Sequence, residues 1–238
     1  MPISELDLLS NFVGSNSTPP LIEVPVPPTP QRLSKVERTR LRLIESVRAE
    51  IEDGGGFTAE QVARRAETSP ATFYNHFAGK DDALAAAFDG VMRDLVAHVE
   101  AHLQVDRLLE LGIEAFARDW LFACVRFFRA NCMTLRAALA QVPVREEVRR
   151  IFLSQEAATL AIYQRFIELG QKARALRSGD ADAMASALMI QNQGWNHPAV
   201  LRLKPDDTLY EELAGSVVRH LSTGTLEKEA EQLSRKGA

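Results

Sequence analysis

Apolar residues recur every three or four positions through most of the chain after residue 32, which is the spacing of amphipathic helices. One long stripe is formed by Leu84, Phe88, Val91, Leu95 and Val99. No stretch alternates apolar and polar residues between hairpin turns, so the pattern predicts no strands and an all-α fold. Nine helices are expected, near residues 34–53, 58–65, 69–77, 80–103, 105–129, 131–141, 144–169, 180–196 and 206–222.

The two ends of the chain differ from this helical part. Seven of the eleven prolines lie in the first thirty residues, where the run 25–30 favours an extended conformation. We therefore expect residues 1–32 to be a flexible extension and residues 224–238 to be a polar tail. The chain as a whole is 46% hydrophobic and 25% charged, which is the composition of a soluble globular protein.

Several classes of protein and site find little support in the sequence. No apolar run approaches the ~20 residues that a membrane span needs, and the first 31 residues contain no Lys or Arg to begin a secretory signal. A cytoplasmic protein without a membrane partner is expected. Cys124 and Cys132 form no metal-binding pair and are predicted to be unpaired, buried thiols.

Metal-competent side chains at Asp94, His98 and His102 recur every four residues on one predicted helix. The outer two would lie about 12 Å apart, too far to share one ion without help from elsewhere. A solvated polar stripe is the favoured interpretation, so neither a metal nor a cofactor is predicted.

Two helix starts lie eleven residues apart in the segment 57–80. Thr58 and Gln61 form a capping box, and Ser69 followed by Pro70 is an N-cap with proline at the first helical position. The segment therefore predicts a short helix, a tight turn and a second short helix, which is the helix-turn-helix arrangement. Phe73 would be buried, with Ile44, Val47 and Ile51 of the preceding helix as the third wall of a small core.

The opposite face of the second helix carries short or polar groups suited to DNA. They are Ser69, Pro70, Ala71, Thr72, Tyr74, Asn75 and His76. Ala71 and Thr72 can contact thymine methyl groups and Asn75 can pair with adenine, while Tyr74 and His76 can reach phosphates. Lys80 is a candidate phosphate contact as well.

Local charge supports a DNA contact in this part of an acidic chain. Residues 32–80 contain nine basic and seven acidic side chains, a net charge of +2 within a chain of net charge −4. Arg38 belongs to a basic cluster at the start of the first helix that could contact the DNA backbone. Thr58, at the start of the second helix, is a candidate DNA contact as well.

The sequence from Gly56 to Leu84 resembles the tetracycline-repressor (TetR) family of bacterial transcription regulators. The resemblance is carried by Gly56-Phe57-Thr58, Val62-Ala63 and, above all, the run from Ser69 to Leu84. Two residues depart from the family pattern. Glu67 occupies a turn position where glycine is usual and the backbone is left-handed, and Thr68 stands where a buried valine is common.

The resemblance implies a homodimer whose two amino-terminal domains bind the halves of a palindromic double-stranded DNA operator. It also implies a larger carboxy-terminal domain that dimerises and binds a small-molecule effector, which usually releases a repressor from DNA. We assign residues 33–82 to the helix-turn-helix DNA-binding domain and residues 83–223 to the effector-binding and dimerisation domain.

Sites in the larger domain are less sharply defined. Phe116 and Trp120, four residues apart, are the predicted lining of a pocket for a small apolar or aromatic effector. The small residues Ala183 and Ala187 would allow two copies to approach closely at a dimer interface formed by the last two long helices. A helical enzyme or an adaptor with a vestigial DNA-binding motif stays open as an alternative, although no catalytic motif is found.

Overall fold

The computed structural model describes residues 34–222, and every regular element in this range is a helix. The nine α-helices are α1 (Lys35–Gly54), α2 (Ala59–Arg65), α3 (Pro70–His76), α4 (Lys80–His102), α5 (Val105–Leu111), α6 (Ile113–Leu139), α7 (Glu146–Lys172), α8 (Ala181–Gln193) and α9 (Thr208–Leu221). Short 3-10 turns at Gly194–Asn196 and Val200–Arg202 separate α8 from α9. The predicted all-α fold class is confirmed, while the predicted extension and tail at residues 1–32 and 224–238 lie outside the described residues.

The break predicted near residue 130 is wrong. The chain breaks instead at Gly112, whose φ of 75° is a left-handed value that glycine adopts without steric cost, so that α5 ends there and α6 begins. Helix α6 continues through Asn131, whose buried side chain donates from Nδ2 to the carbonyl oxygen of Phe127. The predicted helix 180–196 is also shorter than expected, since its last turn is a 3-10 helix.

Helices α1 to α3 surround a small apolar core as the sequence pattern predicted. Ile44, Val47 and Ile51 of α1 are buried, as is Phe73 of α3. The neighbouring Phe77 ring lies 5.2 Å from that of Phe73 and is also buried. The Arg40 guanidinium of α1 lies 5.2 Å from the centre of the Phe77 ring, so this aromatic pair also contacts α1.

Helix α4 begins directly after this three-helix unit and packs against both α6 and α7. Helix α7 in turn packs against α8, and α6 packs against α9. The stripe predicted on α4 is buried at Leu84, Phe88, Val91 and Val99. No helix in residues 34–222 has the length and apolar character of a membrane span.

Candidate DNA-binding surface and interior cavity

Both helix starts predicted in the helix-turn-helix segment are present with their capping hydrogen bonds. Thr58 Oγ1 accepts from the backbone N of Gln61 at 3.2 Å, and Gln61 Oε1 accepts from the backbone N of Thr58 at 2.7 Å. Ser69 Oγ accepts from the backbone N of Thr72 at 3.2 Å, and Pro70 is the first residue of α3. These bonds satisfy helix N–H groups that would otherwise lack partners.

The turn between α2 and α3 passes through Glu67 in the left-handed region, with φ of 52°. The backbone N of Thr68 then donates to the carbonyl oxygen of Ala63 at 2.8 Å, which closes the turn. The sequence analysis placed a left-handed site at Glu67, and this prediction is confirmed. A side chain at such a site costs on the order of 1–2 kcal/mol relative to glycine.

Helix α3 turns its aromatic core residues inward and its candidate DNA residues outward. Ser69, Pro70, Ala71, Tyr74 and Asn75 are exposed, and Tyr74 keeps 58% of its surface accessible. Thr72 and His76 are partly exposed. An exposed tyrosine of this kind on a helix with a buried opposite face is free to contact a second macromolecule.

The candidate phosphate contacts flank this helix. Lys80, the first residue of α4, is exposed, and its Nζ lies 5.3 Å from the centre of the Phe57 ring. Arg38 on α1 and Thr58 at the start of α2 are exposed as well. The structure adds Arg64 on α2, which is exposed and has no ion pair within residues 34–222.

A carboxylate of α1 is bonded to the backbone of α6. Glu52 Oε1 accepts from the backbone N and from Oγ1 of Thr134, at 2.8 and 2.7 Å. Glu52 Oε2 accepts from the backbone N of Met133 at 3.1 Å. The sequence analysis did not identify this contact, because 82 residues separate its two sides.

A second contact joins α1 to both α4 and α6. Arg48 donates from Nη1 to Asp94 Oδ2 of α4 at 2.8 Å and from Nη2 to Asn131 Oδ1 of α6 at 2.9 Å. Asn131 is buried and the Arg48 side chain is 17% exposed, so solvent screens the bond between Arg48 and Asn131 less than it screens a surface pair. Arg48 therefore bonds α1 to both α4 and α6.

An interior cavity of about 210 Å³ lies among α4, α6, α7 and α8. Its lining is mainly apolar, from Met92, Leu95, Val99, Cys124, Phe128, Leu135, Leu139, Phe152 and Met189. The polar side chains in the lining are Glu156, Thr159, Tyr163, Asn192, Gln193 and Asn196. A concave, mainly apolar space with a few polar groups is the usual form of a small-molecule site.

Comparison with known proteins places the helix-turn-helix in a family. Residues 52–87 match the model of the bacterial regulatory proteins of the tetR family. This segment of the chain is therefore a TetR-family DNA-binding segment. The match supports a DNA-binding transcriptional regulator, with the helix-turn-helix described above as its DNA-binding element.

Solved structures share the fold of this chain at low sequence identity. A TetR-family transcriptional regulator from Mesorhizobium loti is 17% identical with a TM-score of 0.63, over 79% of this chain and 96% of that one. Salmonella enterica GusR is 15% identical with a TM-score of 0.61, over 79% and 98%. A TetR transcription regulator from Haloarcula marismortui is 17% identical with a TM-score of 0.61, over 77% and 96%. No curated protein matches the sequence.

The aromatic pair predicted to line an effector pocket lies outside the cavity. Phe116 stacks on Phe166 at a ring distance of 5.4 Å, and Trp120 makes edge contacts with Tyr163 and Trp195. Both predicted residues are 1% exposed and neither is part of the lining. Large planar side chains fill space efficiently, and here they complete the core beside the cavity.

The stripe of Asp94, His98 and His102 does not converge on one point. Asp94 is paired with Arg48, and His102 Nδ1 lies 2.8 Å from the carbonyl oxygen of His98. Within residues 34–222 no three His, Cys, Asp or Glu side chains are grouped so as to hold a metal ion.

Burial, together with the nearby positive charges of His102 and Arg126, lowers the pKa of His98 to about 4. His98 is therefore a neutral imidazole near pH 7.

The remaining predicted residues are placed as follows. Ala183 and Ala187 are exposed on α8, and Ile190 of the same helix is 65% exposed. Cys124 is buried and Cys132 partly buried, and neither forms a disulfide. Burial raises the pKa of the Cys124 thiol well above its ordinary value, so this side chain is uncharged.

Proposed function

We propose that this protein is a TetR-family repressor that binds a palindromic operator as a homodimer and is released by a small molecule bound in the interior cavity. The observation that carries the proposal is the arrangement of α6. This helix contributes Cys124, Phe128, Leu135 and Leu139 to the cavity, and between them it holds the residues bonded to α1. Membership of this family implies a regulator rather than an enzyme.

The proposed DNA contacts divide into base recognition and backbone positioning. Ala71 and Thr72 would contact thymine methyl groups, and Asn75 would form a bidentate pair with adenine in the major groove. Their exposure at the start and on the outer face of α3 supports this assignment. Such contacts determine sequence preference.

Contacts to DNA phosphates would come from residues that surround Ala71, Thr72 and Asn75. Tyr74, His76 and Lys80 are the proposed side-chain donors, and Ser69 and Pro70 place the amino terminus of α3 near a phosphate. Arg38 and Thr58 would reach the same backbone from α1 and α2. These contacts would add affinity for any duplex and make binding depend on salt.

The proposed dimer interface uses the exposed face of α8. Ala183, Ala187 and Ile190 are spaced by four and three residues, so they share one side of the helix. An exposed isoleucine beside two alanines forms an apolar strip that a second copy would cover. Two recognition helices about 34–36 Å apart would then read successive major grooves.

The proposal is tested by selecting binding sites from a pool of random duplexes and measuring affinity for the selected DNA by gel shift at several salt concentrations. We expect a palindrome bound by a dimer. Asn75→Ala should relax the preference at one base pair in each half-site, and Tyr74→Ala should weaken binding to all duplexes. Lys204→Ala, an exposed charge change outside α1 to α4, serves as the control.

Two results together would contradict the proposal and favour an adaptor or enzyme instead. The selection would yield no sequence preference, and the Tyr74→Ala variant would bind DNA as tightly as the wild type.

A further inference from the structure

We propose that the interior cavity is selective for a small ammonium ligand, an amine that carries one ring or a short apolar chain. The inference rests on the proposed role of the cavity as the effector site. It concerns the chemical class of the effector, which neither the fold nor the family determines. Three features of the lining support it: volume, charge and the number of hydrogen-bond acceptors.

The volume limits the apolar part of the ligand. An apolar cavity of ~150 Å³ is enough to hold benzene, and this cavity measures about 210 Å³. The space therefore accommodates one ring with a chain of a few atoms. A much larger ligand could not be enclosed within it.

The lining carries one formal charge, and it is negative. Glu156 belongs to the lining, while no Lys, Arg or His among the described residues does. Two other titratable groups, Cys124 and Tyr163, are buried, which raises the pKa of both well above ordinary values and keeps them neutral. A carboxylate or phosphate ligand would meet like charge with no cation to neutralise it.

Glu156 retains the capacity to bind a cation. Its Oε1 accepts from Gln193 Nε2 at 3.2 Å, and its Oε2 has no hydrogen-bond partner within residues 34–222. An ammonium group placed at Oε2 would form a charge-assisted hydrogen bond in a mainly apolar setting, where such bonds are strongest.

The amide groups in the lining also favour a ligand that donates hydrogen bonds. The buried Oδ1 atoms of Asn192 and Asn196 have no hydrogen-bond partner within the described part of the chain. Asn192 Nδ2 is already used, since it donates to the Tyr163 hydroxyl at 2.8 Å. With Glu156 Oε2, the two Oδ1 atoms make three acceptors without partners among the described residues, and an ammonium group provides three N–H bonds without requiring an acceptor.

The test compares three ligands of nearly equal size: 2-phenylethylamine, 2-phenylethanol and phenylacetate. Calorimetry on the full chain at pH 7 should show the amine bound at least tenfold more tightly than the alcohol, and phenylacetate more weakly than both. Glu156→Gln should reduce the advantage of the amine by about tenfold, which corresponds to about 1.4 kcal/mol. Glu168→Gln, the same change on the outer surface of α7, should leave it unaltered.

A second pair of variants locates the binding site. Leu139→Trp narrows the cavity and should abolish binding of the amine, whereas Leu109→Trp, at an exposed position of α5 outside the lining, should not. Circular dichroism confirms that each variant is folded.

The possible outcomes separate the two proposals. If amine and alcohol bind equally in the wild type and Leu139→Trp abolishes both, the cavity is a ligand site but the proposed chemical class is wrong. If phenylacetate binds best, or if the preference for the amine survives Glu156→Gln, the class is likewise wrong. If no ligand binds at 10 mM, or binding survives Leu139→Trp, the inference fails, while selection of an operator still tests the DNA-binding function independently.

Discussion

The carboxylate of Glu52 offers a sharp test of how α1 is held against the larger helical part. It accepts three hydrogen bonds from α6, from the backbone N atoms of Met133 and Thr134 and from Thr134 Oγ1, at 2.7–3.1 Å. The substitution Glu52→Gln keeps the size of the side chain but removes its charge and one acceptor oxygen. An amide NH₂ group then faces an N–H donor.

The magnitude follows from the number and kind of these bonds. Hydrogen bonds to charged groups contribute about 1.5–3 kcal/mol each and neutral ones about 1 kcal/mol, and partial exposure of Glu52 favours the low end. The glutamine can still accept two neutral bonds at Thr134 and loses the third. We expect the free energy of unfolding to fall by about 2–3 kcal/mol, which lowers the melting temperature by roughly 5–10 °C for a chain of this size.

Thermal and urea unfolding followed by circular dichroism measure this loss. Glu45→Gln is the matched control, because Glu45 is also on α1 but its side chain is 67% exposed and pairs only with Arg48. It should change the stability by less than about 1 kcal/mol. A double-mutant cycle with Thr134→Val should show that part of the Glu52 effect disappears once Oγ1 is removed.

Equal stability losses for Glu52→Gln and Glu45→Gln, with no coupling to Thr134, would refute the argument. In that case the three bonds would contribute no more than a surface ion pair, and α1 would be held against α6 by apolar packing alone.

Four further predictions concern DNA binding, assembly and stability. Lys80→Ala should lower the slope of log affinity against log salt by about one in gel shifts, since one phosphate contact is lost; an unchanged slope would exclude the contact. Ala187→Glu should convert the dimer to a monomer in analytical ultracentrifugation, and a dimer that persists would place the interface elsewhere. His98 is neutral in the folded state down to about pH 4 but is protonated near 6.5 when unfolded, so stability present above pH 6.5 is lost as the pH falls to 4; His98→Gln should flatten this part of the urea-midpoint profile. Glu67→Gly should raise the free energy of unfolding by about 0.5–1 kcal/mol, because relief of the left-handed strain exceeds the added backbone freedom of the unfolded chain; a destabilised variant would contradict this.

The helix-turn-helix segment was predictable because its determinants are local. The capping pair of Thr58 and Gln61 lies within one helical turn, and Ser69 and Pro70 are adjacent. The left-handed backbone at Glu67 was expected from the resemblance to the family pattern, in which glycine is usual at this turn position. Hydrogen bonds between residues three or four positions apart require particular residue types at fixed spacings, which can be recognised in the sequence.

The cavity was not predictable in the same way, because it is a space that side chains leave unfilled. Its lining runs from Met92 to Asn196 and depends on how four helices pack. The sequence analysis chose Phe116 and Trp120 for their aromatic character, yet large rings are the side chains best able to fill a core. The helix break at Gly112 was also missed, since a single glycine inside an apolar pattern is compatible with either a continuous or an interrupted helix.

The position of Arg48 suggests how occupation of the cavity would reach the DNA-binding helices. Helix α4, which begins after α3, is one route, and α6 is a second. Met92 and Leu95 on α4 and Phe128 on α6 line the cavity, while the Arg48 guanidinium spans the same two helices through Asp94 and Asn131. A ligand that separates α4 from α6 must lengthen at least one of two bonds that are now 2.8 and 2.9 Å long, or move α1 along with the helix to which Arg48 stays bonded. Either outcome changes the position of α1 relative to the core, and a coupling of about 1–3 kcal/mol from that change weakens operator binding by roughly 5- to 150-fold.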